Sequence, residues 1–265
     1  MDENNQDEQL REQLKKIKNT IVVLSGKGGV GKSTVATNIA MSLSLKGFKT
    51  GLLDVDIHGP SIPTLLGLEG KRIESEGQFL LPIEYNKNLK VISTGFMIED
   101  PTSPIVWRGP MKMGFIKQML SEVLWEELDY LIVDCPPGTG DEPLSVIQTL
   151  GEVTGAIIVT TPQKLAVVDV KKSVNFCKKL NTPILGVIEN MSGFVCPKCG
   201  ERVEIFKSGG GEIMAHEMNV PFLGKIPLSA EIVDAGDLGK PFVEHYANTQ
   251  SAKNIEEIIK PIVEL

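Results

Sequence analysis

Several things are scarce in this sequence. It holds four cysteines and three histidines in 265 residues, and only 5% of it is aromatic. Four thiols in a chain this large, with no export signal, exclude a disulfide framework as the basis of the fold. No apolar run approaches the roughly 20 residues that span a bilayer. The opening MDENNQDEQL is acidic and lacks the apolar core of a secretory signal. An excess of basic charge is missing too: 27 Lys and Arg stand against 34 Asp and Glu, a net charge of −7. That argues against a nucleic-acid-binding face, which needs clustered cations. No repeat and no low-complexity segment is visible. These absences point to a cytoplasmic protein with neither a membrane nor a nucleic acid as partner.

What is present is globular. Hydrophobic residues make up 42% and charged residues 23%, ordinary values for a packed domain. Residues 1–19 read as a polar N-terminal extension, with helical character over EQLREQLKKIK. Residues 20–265 read as a single domain. In it, short apolar runs alternate with amphipathic segments: TIVVLS (20–25), KTGLLDVD (49–56), LKVISTG (89–95), YLIVDCP (130–136), GAIIVTT (155–161), ILGVIEN (184–190) and PFLGKIP (221–227). Runs this short and continuously apolar suit strands covered on both faces, as in a parallel sheet. Segments such as STVATNIAMSLSLKG and DVKKSVNFCKKLN suit the covering helices, with Gly47 and Asn181 as stops. The fold expected is α/β, doubly wound, with a mostly parallel sheet. Two stretches break the alternation. GKRIESEGQFLLPIEY suits a small hairpin, and residues 192–212 hold a Cys-Pro-Lys-Cys element and the run SGGG.

Gly26–Ser33 spells G-x-x-x-x-G-K-S between a strand and a helix, the context of a phosphate-binding loop. Gly26, Gly28, Gly29, Val30 and Gly31 would turn backbone N–H groups toward phosphates at a helix N-terminus. Lys32 would reach the β- and γ-phosphates, Ser33 would ligate Mg²⁺, and Thr34 continues the loop. In LLDVDIHGPS, Asp54 and Asp56 fall in i, i+2 register at a strand end, so both carboxylates can face the Mg²⁺ and the attacking water. The alternative for each is to cap the following turn; Asp56 is the favoured water-orienting residue. His58 reads as a loop residue. In YLIVDCPPGTGDE, Asp134 ends an apolar strand like a Walker B carboxylate. The turn to Gly138 could offer an N–H to the γ-phosphate. Asp141 and Glu142 suit a helix start, and Cys135 and Cys177 suit buried positions.

In FVCPKCGERVEIF, Cys196 and Cys199 are spaced as a metal knuckle, and thiolates suit Zn²⁺ or an iron–sulfur cluster. Either site wants four ligands, and no second Cys-x-x-Cys exists. Three completions stay open. His216 and Glu217 could close a zinc site, the pair could be a redox dithiol, or two copies of the chain could each give half a site about a twofold axis.

Lys27 is a second lysine that a single phosphate loop does not need. GKGGVGKST, with that lysine, resembles the deviant Walker A motif of the SIMIBI-class P-loop ATPases, the group of MinD, ParA and the nitrogenase iron protein. LLDVDIHGPSIP, VWRGPMK, DYLIVDCPPGTGDE, GVIENMSGFVCPKCG and GKIPL extend the resemblance to the Mrp/ApbC iron–sulfur cluster carriers, from about residue 20 to about residue 230. The resemblance implies an ATP-binding, ATP-hydrolysing homodimer. It also implies that Lys27 reaches the partner's nucleotide, that Asn190 contacts the adenine, and that Pro227 lines the other side of the base. A [4Fe–4S] cluster would sit between Cys196 and Cys199 of both subunits and pass to apo-proteins, with Zn²⁺ as a possible substitute.

The chain also departs from relatives in that group. Residues 1–19 carry no cysteine, so the minimal form without an N-terminal cluster is expected. SAKNIEEIIKPIVEL is acidic and interrupted by Pro261, unlike a membrane-targeting helix. Trp107, Arg108 and Gly109 suit a tight turn better than a docking surface. Two rival readings are a dimeric ATPase clasped by structural zinc and a MinD/ParA-like positioning ATPase.

Overall fold

Residues that are apolar at every position of a strand need cover on both faces, and these strands have it. The computed structural model describes residues 10–98, 109–196 and 198–265. In chain order, the first elements are β1 (Ile17–Ser25), α1 (Lys32–Leu45), β2 (Thr50–Asp54), α2 (Ile62–Leu65), β3 (Glu74–Glu76), β4 (Phe79–Leu81), β5 (Ile83–Asn86) and β6 (Leu89–Ser93). After them come α3 (Gly109–Ser121), β7 (Leu128–Asp134), α4 (Asp141–Leu150), β8 (Gly155–Thr160), α5 (Lys164–Lys179) and β9 (Ile184–Glu189). The remainder is β10 (Phe194–Val195), β11 (Arg202–Val203), α6 (Gly210–Met218), β12 (Phe222–Lys225), α7 (Ala230–Asp237), α8 (Phe242–His245) and α9 (Gln250–Val263).

Eight strands form one sheet in the order β12-β9-β8-β1-β7-β2-β6-β5. Every pairing is parallel except β5 against β6. The alternation of side chains along β1 divides the core in two. Ile21 and Val23 face one apolar cluster, under α1 and α9, while Val22 and Leu24 face the other, under α3, α4 and α5. This is the doubly wound α/β architecture the sequence predicts. Gly47 and Asn181 both have positive φ, 95° and 53°, and end α1 and α5 as expected. The expected hairpin is β3–β4, turning at Gly77 with φ 61°.

Two expectations need correction. β1 starts at Ile17, because Ile17 and Asn19 pair with Leu128 and Tyr130 of β7. Leu10 and Gln13, inside the stretch that reads as a polar lead-in, are buried. Pro261 does not interrupt the last helix, which runs on to Val263. Its ring sits in the final turn, where few i−4 bonds remain to be lost, and Ile255, Ile258, Ile259 and Ile262 are buried in the core.

Candidate nucleotide site and thiol knuckle

Parallel strands bring their C-terminal ends to one edge, and a ligand crevice opens where the chain departs to opposite sides of a central strand. Here that strand is β1, flanked by β7 and β8. The loop after it is the Gly26–Ser33 motif. Gly29 and Gly31 have φ of 77° and 80°, conformations that a residue with a Cβ rarely adopts. A Cβ on Gly31 would also lie 2.2 Å from the Asn190 amide nitrogen. α1 then begins with no acidic residue in its first turn and no side chain capping it. Its N–H groups are left to an anion.

Three carboxylates surround the loop lysine. Asp54 and Asp134 lie in register on adjacent strands, and both are fully buried. Lys32, 6% exposed, places its Nζ 2.5 Å from Asp134 Oδ1 and 3.9 Å from Asp56 Oδ2. Burial pulls the lysine pKa down, but the charge and hydrogen bond of Asp134, then Asp56 and Asp54, outweigh it, and the pKa is raised. Burial pushes the Asp54 pKa up to about 8, helped by Asp134 and opposed by Lys32. Burial raises Asp134 as well, against Lys32 and the Ser33 hydroxyl.

The two residues of the Asp-x-Asp pair differ. Asp54 accepts the Ser93 hydroxyl at 2.8 Å and the Asp56 N–H at 3.0 Å. Both its oxygens are engaged. Asp56, beyond the strand end, accepts the Gly59 N–H at 3.3 Å and lines the recess over the loop. Asp134 Oδ2 is buried and has no hydrogen-bond partner among the described residues. The Ser33 hydroxyl, the Asp56 carboxylate and that orphaned oxygen form a hard, all-oxygen set that fits Mg²⁺.

A recess of about 400 Å³ lies over the loop and is lined by Lys27, Lys32, Ser33 and Asp56. It shares Gly31, Thr34 and Ser61 with a neighbouring recess of about 350 Å³, which Asn190 and Pro227 line. Loop, lysines, Asn190 and Pro227 are thus brought together. Lys27 is half-buried and has no ion pair among the described residues. The N–H of Gly138 donates to the Ser25 carbonyl at 2.8 Å. His58 is an exposed loop residue. It meets Lys112 Nζ at 2.5 Å, and Lys112 reaches Glu142 at 2.7 Å. Cys135 and Cys177 are buried as expected, and burial raises both thiols, Cys177 to about 12.

The thiol pair sits on the β10–β11 ribbon. Cys196 N–H donates to Glu201 O, and Gly200 N–H donates back to Cys196 O, both at 2.9 Å. The N–H groups of Cys199 and Lys198 point at the Cys196 sulfur and hold its pKa below the usual thiol range. Cys199 is exposed. Among the described residues no group of three or more His, Cys, Asp and Glu side chains converges on a metal position. His216 and Glu217 therefore do not complete a zinc site within one chain, and Glu217 pairs instead with Lys171 at 2.6 Å. Gly109 opens α3; Trp107 and Arg108, the rest of the expected turn, lie outside the described residues.

The sequence matches, over residues 16–263, the model of the family described as ParA: NUBPL iron-transfer P-loop NTPase. The chain belongs to this family. It is 50% identical over 259 residues to a protein of Methanocaldococcus jannaschii named iron-sulfur cluster carrier protein, covering 98% of this chain and 89% of that one. It is 48% identical to a Trichoplax adhaerens protein named as a homologue of cytosolic Fe-S cluster assembly factor NUBP2, covering 94% and 95%. Among solved structures, a nucleotide-binding protein in complex with ADP from Archaeoglobus fulgidus superposes with a TM-score of 0.78. It is 40% identical, with 91% of this chain and 93% of that one covered. MinD of Aquifex aeolicus, 21% identical with a TM-score of 0.65 over 93% and 98% of the chains, shares the fold.

For this family member, the reading of the sequence missed the partners of its named residues. Ser93, which holds Asp54, carries no motif of its own. Glu189 is fully buried and bonded to three donors. Its place beside Asn190 at a strand end was the available signal.

Proposed function

We propose that this chain is an ATP-hydrolysing carrier that forms a homodimer, holds one [4Fe–4S] cluster between Cys196 and Cys199 of both copies, and passes it to apo-proteins. The observation that supports this best is the two-thiol knuckle, an incomplete ligand set on a nucleotide-binding fold. Two such knuckles about a twofold axis supply four thiolates. The relatives' names, which speak of cluster carriage and of the cytosol, agree with this reading and with a cytoplasmic location. Among the described residues no helix is long and apolar enough to cross a membrane.

The residues act in sequence. The phosphates of ATP settle on the loop amides and the start of α1. Lys32 leaves Asp134 and pairs with the β- and γ-phosphates. Asp56 orients the attacking water. Lys27 of each copy reaches the other's γ-phosphate and stabilises the charge that develops there, as an arginine finger does. Ser33, Asp56 and Asp134 would hold Mg²⁺, which when bound neutralises the phosphate oxygens. Asp54 acts from behind, fixing Asp56 through its N–H. Gly138 serves as the switch by exchanging the Ser25 carbonyl for a phosphate oxygen. The base lies between Asn190 and Pro227.

The test is iron, sulfide and zinc per chain on anaerobically reconstituted protein, with the native mass of the same sample. About two irons and two sulfides per chain in a dimer are expected for one shared cluster. Zinc at about half an equivalent per chain, with no cluster after reconstitution, would make the knuckle a structural clasp and overturn the reading.

A further inference from the structure

The loop that carries the thiols leaves the sheet at Ser192 and returns at Ser208, and both ends meet one buried side chain. Glu189, the last residue of β9, is fully buried. Its Oε1 accepts the Ser192 hydroxyl at 2.5 Å and the Gly209 N–H at 2.8 Å, and its Oε2 accepts the Gly211 N–H at 2.6 Å. The Ser192 and Ser208 hydroxyls lie 2.9 Å apart and clamp the two ends together. The glycine run closes tightly on this junction. A Cβ on Gly210 would lie 2.4 Å from the Pro162 carbonyl, and one on Gly211 would lie 2.9 Å from Thr160.

The same junction touches the nucleotide site. Asn190, the next residue, donates to the Val30 carbonyl of the phosphate loop at 2.9 Å. The backbone carbonyl of Glu189 accepts the Ile226 N–H at 2.9 Å, one residue before Pro227. Both walls of the recess beside the phosphate loop are therefore one residue from groups that Glu189 holds.

We propose that Glu189 is a positioning residue that couples the nucleotide site to the thiol knuckle. A buried carboxylate with three donors has few alternative arrangements, because each lost donor leaves an unsatisfied charge. A shift of Asn190 when a base enters must carry Glu189 with it. The Gly209 and Gly211 amides follow, and the movement passes to the β10–β11 ribbon. The identity of what the thiols carry rests on the function proposed above; the coupling itself is read on the free thiols.

The experiment is alkylation of Cys196 and Cys199 in the full-length, metal-free protein, followed by peptide mass spectrometry, with and without a non-hydrolysable ATP analogue and Mg²⁺. Buried Cys135 and Cys177 serve as internal controls. In the wild type the nucleotide is expected to change the Cys196 and Cys199 rates by about fivefold or more, the lower end of ordinary coupling between sites. Glu189→Gln is expected to bind the analogue and lose that change. Ser208→Ala, which removes the clamp and keeps the carboxylate, is expected to reduce it, and it carries the test if Glu189→Gln fails to fold. No nucleotide effect in the wild type, or an undiminished effect in the folded variants, overturns the proposal. Cluster content after reconstitution reports separately on the carrier reading, so the two can fail independently.

Discussion

Lys32 Nζ lies 2.5 Å from Asp134 Oδ1, so the lysine of the glycine-rich loop is paired with the buried carboxylate that ends β7. The pair joins the end of β7 to the start of α1. It keeps a buried ammonium charged and in place. It also gathers three carboxyl groups about one cation, and their burial and crowding hold Asp54 and Asp134 above the usual carboxylate range.

Lys32→Ala is expected to abolish binding of Mg-ATP. The nucleotide-free protein should also lose stability, by roughly 3–5 kcal/mol if both buried carboxylates stay charged and less if one takes up a proton. Calorimetric titration and urea unfolding check the two effects. Binding weakened by less than about tenfold, or about 1.4 kcal/mol, would remove Lys32 from the phosphate site.

Lys27→Ala should leave binding close to wild type, since its amine has no ion pair among the described residues. Hydrolysis should fall about 10³-fold, the lower range for removal of a cation supplied in trans. Phosphate release under saturating ATP measures it, and unchanged turnover would end the trans-lysine model.

Asp54 makes stability depend on pH. Its pKa is about 8 in the fold against an ordinary 3.8, so between these values the folded state holds more protons than the unfolded one. Stability without nucleotide therefore falls as pH rises from about 4 to about 8, by at most about 1.4 kcal/mol per pH unit for one proton. Asp134, also raised, acts in the same direction. Asp54→Asn, which still accepts from Ser93, should flatten the slope. Urea unfolding at several pH values compares them, and identical slopes would mean that Asp54 titrates normally.

Gly31→Ala meets two obstacles, a φ of 80° and an approach of 2.2 Å to the Asn190 side chain. The left-handed backbone alone costs about 1–2 kcal/mol, and displacing Asn190 adds to it. Gly28→Ala, where a Cβ meets nothing within 4 Å, is the comparison. Thermal melting without nucleotide should separate the two variants clearly; equal melting would mean that the loop relaxes freely.

The strands were legible because each is a local pattern. YLIVDCP and GAIIVTT need no partner to be read as buried strands, and β7 and β8 fall on them. The glycine-rich loop was legible for the same reason, since its spacing is a property of consecutive residues. Ile17 was harder to place, because Lys18 and Asn19 hide its membership of β1, which depends on pairing with a strand more than a hundred residues away. In the sequence Asp56 was favoured over Asp54 only because it lies further along the strand end. Ser93, on a neighbouring strand, and the Asp56 N–H engage both oxygens of Asp54.

The sequence by itself determined the parallel α/β sheet, the phosphate loop with its two lysines, and the thiol knuckle. All three depend on periodicity or spacing within a short stretch. The tertiary structure alone decided that Lys32 rests on Asp134, that Asp54 stands behind Asp56, that Gly138 is held by Ser25, and that Glu189 holds the base of the thiol loop. Each of these contacts lies at, or just beyond, the strand ends on one edge of the sheet. Its energetics come from burial, which no local pattern encodes.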